Sequence, residues 1–177
     1  MSKGETVGIY AKEALVKWIC NYDWDVMFTL KLRDDITKQS ALNALRYRTY
    51  FIDKTYYGSR AYRNNHRFQR ALFYQEGAFG DNIHFHGLAK SPNADVITFR
   101  DVLKDVWERK VVQSNTRGRF EIPRNKYAIS DYFTKEWWKL GQDTFEVFNT
   151  HLKPLEYVCT KDDARDVRRR LRKYRRA

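Results

Sequence analysis

His84 and His86 stand one residue apart in the run DNIHFHGLAK, residues 81 to 90, with Phe85 between them. A strand sends side chains at i and i+2 to the same face, with Cα atoms roughly 7 Å apart. At that spacing two imidazoles can converge on one divalent cation, since histidine is the commonest nitrogen ligand. The plainer alternative is two structural histidines satisfied by hydrogen bonds. The chain holds four histidines, so two on one strand is a concentration; His66 and His151 show no partner pattern. A neighbouring carboxylate would complete an open three-ligand site suited to Mn²⁺ or Mg²⁺, with a phosphate oxygen as a further ligand. Glu76, which ends the preceding run, is the candidate, and Asp81 is its competitor.

A second pair of interest lies in SDYFTKEWW, where Tyr132 and Lys135 share one face of a predicted helix. A phenol with an ordinary pKa near 10 is a poor nucleophile unless a base or a polarised electrophile assists it. A metal-bound phosphate is such an electrophile, and Lys135 would offset the charge that builds up on the phosphate or on the phenolate. Tyr-x-x-Lys means little alone in a chain with twelve tyrosines.

The elements that must position these groups can be read from periodicity. DVMFTLKLR (25–33) alternates Val26, Phe28, Leu30 and Leu32 against Met27, Thr29, Lys31 and Arg33, a half-buried strand. Residues 1–12 read as a polar lead-in and 13–22 as a short amphipathic helix with Leu15, Trp18 and Ile19 on one side. Residues 37–57 read as a long helix. Strands at about 67–76 and 82–90, joined by the connection Gly77 to Asp81, form a predicted antiparallel hairpin. A helix at 98–111 opens on Thr98-x-x-Asp101, a strand occupies 118–124, a helix 126–140, and a last strand 143–149 sits at the sheet edge. The expected class is α+β, a central antiparallel sheet with flanking helices.

Composition narrows the partners. A net charge of +12 favours polyanions, and 16% aromatic residues supply rings that stack on unpaired bases. No apolar run approaches the ~20 residues of a membrane span, which predicts no membrane partner, and no secretory signal is evident. Cys20 and Cys159, far apart and outside any Cys-x-x-Cys pattern, point to reduced thiols and exclude a cysteine-based zinc site.

Taken in order, an alternating MFTLKL strand, HFHGL, and YFTK on a helix roughly 50 residues on resemble the three motifs of the HUH endonucleases. The likeness is strongest to single-tyrosine initiators of rolling-circle replication from plasmids, phages and small single-stranded DNA viruses, and it covers about residues 24 to 140. It implies an RRM-like sandwich in which Tyr132 attacks a phosphodiester of single-stranded DNA. The tyrosine stays linked to the 5′-phosphate, a 3′-hydroxyl is freed, and the reverse attack rejoins DNA without ATP. It further implies that His84 and His86 hold the metal with Glu76 as third ligand, and that Lys135 assists. Only one tyrosine occupies the third motif; Tyr127 lies off its face. Residues 1–23 would be a lead-in, 24–150 the endonuclease domain and 151–177 a basic helix or tail. With no phosphate-binding loop for a helicase, a host or separate helicase and polymerase are the expected partners. A homodimer would supply a second tyrosine for resolution. The expected setting is the cytoplasm of a prokaryotic host, or the nucleus if a eukaryotic virus is the source.

Sequence choice would lie in 56–70, where Arg60, Tyr62, Arg63, Asn64 and Arg67 mix cations, a ring and an amide, and in Arg117 and Arg119. An origin hairpin or nick site is the expected DNA partner, and the arginine-rich tail a non-specific backbone grip. Trp137 and Trp138 read as packing. Two rivals remain. Small transposases share the histidine pair and single tyrosine but commonly carry Gln where Lys135 stands. A non-enzymatic binding module would explain the charge and rings but not the ordered set of site residues.

Overall fold

The computed structural model describes residues 3–63, 65–77, 81–92, 95–115, 118–125, 145–146, 148–153 and 169 of the chain, with the backbone alone at 3–9 and 60–62. Its elements follow in the order α1 (Lys3–Cys20), β1 (Val26–Lys31), α2 (Lys38–Arg63), β2 (Arg70–Gln75), β3 (His84–Ala89), α3 (Val96–Lys110) and β4 (Arg119–Glu121). The strands form one antiparallel sheet in the order β2-β3-β1-β4, so the expected α+β class is what the chain adopts. The helix predicted at 126–140, with Tyr127, Tyr132, Lys135, Trp137 and Trp138, lies outside the described residues. So do Asn64, Arg117 and the basic tail apart from Arg169.

Period-two patterning decides which face of the sheet each residue takes. Val26, Phe28 and Leu30 of β1 are buried, while Met27 and Thr29 are half-buried and Lys31 is exposed. The first set joins Leu72, Tyr74 and Phe85 in the main core. That core is closed by Ala41, Leu45 and Ile52 of α2 and by Phe99, Leu103 and Val106 of α3. The opposite face carries a smaller cluster of Ala71, Phe73 and Leu88 under Ile19 and Trp24, with Leu15 and Phe145 packed against it. Leu15 and Ile19 are four apart on α1 and meet the sheet on one stripe.

Several boundaries differ from the sequence reading. Helix α1 starts at Lys3, so most of the expected lead-in is helical. Helix α2 continues to Arg63 through a kink at Gly58, whose φ of 75° and ψ of 169° belong to a region open essentially to glycine. The segment expected as a DNA-contact loop from residue 56 is therefore helical up to Arg63, and Tyr56 and Tyr57 lie in the core rather than facing bases. Helix α3 begins at Val96, two residues before Thr98, so Thr98-x-x-Asp101 does not open it. Asp95 is its cap, its carboxylate accepting the Thr98 N–H at 2.9 Å. Within the last expected strand, Phe145 bridges Phe73, and His151 just beyond it bridges Arg70, so the outer edge of β2 is covered at two points.

Candidate metal and nucleic-acid site

The hairpin register sets the site. Gln75 lies directly opposite His84, and Phe73 opposite His86; on the other flank of β3, Lys31 faces His84 and Thr29 faces His86. Directly opposed residues of an antiparallel pair share a face. Gln75, His84, His86, Thr29 and Lys31 therefore form one patch on the sheet face turned away from α2 and α3. Arg119 of β4 pairs with Thr29 and extends that row by one strand. Lys31 and Arg119 are exposed, so the patch offers cations beside the imidazoles, although Arg119 also pairs with the Glu121 carboxylate on the same face.

The hydrogen bonds fix much of the chemistry. His84 Nδ1 lies 2.7 Å from the Asn82 carbonyl oxygen, which can only accept, so this nitrogen carries the proton. The neutral ring then has its lone pair at Nε2. His86 is buried, with Nδ1 3.0 Å from the Thr29 hydroxyl. The Nε2 atoms of His84 and His86 approach Gln75 Oε1 at 3.1 and 3.0 Å, and the rings stand nearly perpendicular with centroids 5.1 Å apart. When His86 also gives its Nδ1 proton to Thr29, two imidazole lone pairs and an amide oxygen converge on one point. Such a trio repels unless a cation or a proton stands among its members. The donor set fits a divalent ion that draws further oxygen ligands from a phosphate.

Glu76 does not belong to this trio. One position past Gln75 it alternates to the other face, where Tyr74 donates its phenolic hydrogen to the Glu76 carboxylate. Burial, and then the hydrogen bond to Glu76, push the Tyr74 phenol well above its ordinary value. The Asp81 carboxylate folds over Gly77. Among the described residues no third His, Cys, Asp or Glu joins the histidines, so the oxygen beside them is an amide's. Gln75, Thr29 and Lys31 escaped the sequence reading. The alternation of β1 had already placed Thr29 and Lys31 on one face, and a hairpin register would have added Gln75.

Gly87, which completes HFHGL, is dictated by packing. A Cβ there would lie 2.2 Å from two ring atoms of Phe28. The guanidinium of Arg48 lies 4.6 Å from the centroid of the same ring, so Gly87, Phe28 and Arg48 stack through the core beneath the site. Arg48 is fully buried and its nitrogens have no hydrogen-bond partner among the described residues. Burial chiefly, with repulsion from Arg70, lowers its pKa to about 9.

The other expected DNA contacts scatter. Arg60 and Tyr62 fall in the last turns of α2, and Arg63 is exposed at its end. Arg67 sits at the opposite end of β2 from the histidines, its Nε 3.7 Å from buried Asp53. Comparison of the chain with protein-family models, with curated proteins and with solved structures finds no match.

Proposed function

We propose that this chain is a divalent-metal-dependent endonuclease that nicks and rejoins single-stranded DNA through Tyr132 to initiate rolling-circle replication. The observation that carries the reading is the meeting of His84 Nε2 and His86 Nε2 at the Gln75 oxygen, flanked on the same face by Lys31 and Arg119. The ordered motifs HFHGL and YFTK supply the rest. A bound divalent ion would withdraw charge from the scissile phosphate. His84 and His86 would hold it with Gln75, in place of the expected Glu76; the Asn82 carbonyl keeps the His84 tautomer that a ligand needs. Lys31 and Arg119 steer the DNA backbone to this face. Tyr132 Oη attacks phosphorus and the bond to the 3′ oxygen breaks. The proton lost by the phenol is matched by the one gained at the new 3′-hydroxyl. Lys135 offsets the phenolate charge.

A pool of single-stranded oligonucleotides incubated with Mn²⁺ or chelator tests this on denaturing gels. The expected result is a metal-dependent protein–DNA adduct that survives boiling in detergent and disappears in Tyr132→Phe while DNA binding persists. Cleavage unchanged in Tyr132→Phe would remove the tyrosine from the mechanism.

One observation favours a second reading, a binding module without catalysis. With its amide turned over, Gln75 donates one N–H to each imidazole, closing the network with no ion. That reading expects salt-sensitive DNA binding, no adduct, and no Mn²⁺ bound by the protein.

A further inference from the structure

At the end of β2 remote from the histidines, roughly 17 Å along the strand from Gln75, a cavity of about 310 Å³ opens between α2, residues 65–67 and residues 148–151. Among the described residues, Arg46, Arg67 and Arg70 line it against a single carboxylate, Asp53. That carboxylate is already engaged: it accepts the Phe68 N–H at 2.9 Å and Arg70 Nη1 at 3.0 Å. Arg46 is exposed and has no ion pair among the described residues, which leaves the mouth of the cavity electropositive.

The rim carries an exposed ring. Between the bridges Phe73↔Phe145 and Arg70↔His151, Glu146, Phe148, Asn149 and Thr150 stand against only residues 71–72, so these residues bulge from the sheet edge. The bulge is pinned on several sides. Glu146 accepts the Phe148 N–H at 3.1 Å and the Asn149 side-chain amide at 3.3 Å. Arg70 Nε donates to the Asn149 carbonyl at 2.7 Å, and the Leu72 N–H to the Thr150 hydroxyl at 3.0 Å. Yet Phe148 is 91% exposed. A single exposed ring is ordinary on a protein surface. One held by a pinned bulge at the mouth of an arginine-lined cavity has the parts of a nucleotide subsite, a stacking platform beside phosphate donors.

We infer that this cavity is a second single-stranded-DNA subsite, which takes a backbone phosphate at Arg46 and Arg67 and stacks an unpaired base on Phe148. The inference deepens the reading above and rests on single-stranded DNA being the substrate. It gives Arg67 a role apart from the chemistry and lets one DNA strand engage both ends of β2.

The test is fluorescence anisotropy of the full chain with labelled single-stranded oligonucleotides of about 16 nucleotides and with the matching duplexes, over a salt series. Phe148→Ala is expected to weaken single-strand binding about tenfold or more, to leave duplex binding unchanged, and to be rescued by Phe148→Trp. Arg46→Gln is expected to lower the salt slope by about one. Single-strand affinity and slope unaltered in both variants would overturn the subsite. So would an equal loss on duplex, which would mark a disturbed fold, or a wild-type chain that does not bind single strands. Adduct formation by Tyr132 is scored separately: binding that depends on Phe148 without any adduct sinks the nicking reading and keeps the subsite.

Discussion

Gln75 brings to the two imidazoles a dipole where a carboxylate would bring a charge. Metal affinity in oxygen-containing sites follows ligand charge, so under the proposed function the neutral amide would leave a bound ion more dependent on a phosphate ligand. Gln75→Glu is accordingly expected to tighten Mn²⁺ binding about tenfold or more and, by raising the imidazole pKa values, to steepen its pH dependence. Titration of the full chain followed by the electron paramagnetic resonance of free Mn²⁺ reads this directly. If the amide only bridges the rings with its two N–H groups, the wild type binds no Mn²⁺ and only the variant, which sets a carboxylate beside the two imidazoles, does. The histidine pair was legible because its spacing matches a strand's period. Gln75 was not, since a neutral amide bears no metal-ligand signature and a one-residue step decides whether Gln75 or Glu76 faces the site. Tyr132 and Lys135 lie outside the described residues and rest on the sequence motif alone.

Elements were legible where a face is buried and obscure where a helix end or kink depends on one residue. The alternation of β1 follows from apolar residues at every second position, and the hairpin of β2 and β3 from two largely apolar runs joined at the connection from Gly77 to Asp81, against helices that must close the core. The course of α2 past residue 57 does not. Glycine inside a helical run argues for an end, and here Gly58 turns the chain at φ 75° and ψ 169° before helix resumes to Arg63. The turn matters to packing, because Tyr56 and Tyr57 just before it fill the core and Arg67 and Asn65 just after it reach the arginine-lined cavity. Gly58→Ala forces a Cβ into that conformation and is expected to cost about 1–3 kcal/mol, seen as a lower urea midpoint with unchanged slope. A midpoint equal to wild type would mean that α2 straightens without penalty.

On the scale of the molecule, charge is spread so that Lys31 of β1 and Arg119 of β4 stand on the histidine face while Arg46, Arg67 and Arg70 line the cavity at the far end of β2, within a chain of net +12. The net charge was legible at once; its division was not, because it depends on which arginines are paired within the fold. His151 records that division. Its main chain exchanges hydrogen bonds of 2.7 and 2.9 Å with Arg70, tying the outer segment to β2. Burial, followed by repulsion from Arg70, Arg67 and Lys153, lowers its pKa from 6.5 to about 4. The unfolded chain therefore binds the proton that the folded chain refuses, and stability rises with pH across this window. His151's share is fully present above about pH 6.5 and is lost as pH falls toward about 4. Asp53 works in the opposite sense, since burial holds its carboxyl above the ordinary range despite Arg70. A His151→Gln variant separates the two. Between pH 7 and 5 the wild type is expected to lose on the order of 1 kcal/mol more than the variant, a reduced figure because the ring is partly open to solvent. Urea unfolding at both pH values measures the difference, and parallel losses in the two proteins would place the acid sensitivity elsewhere than the β2 edge.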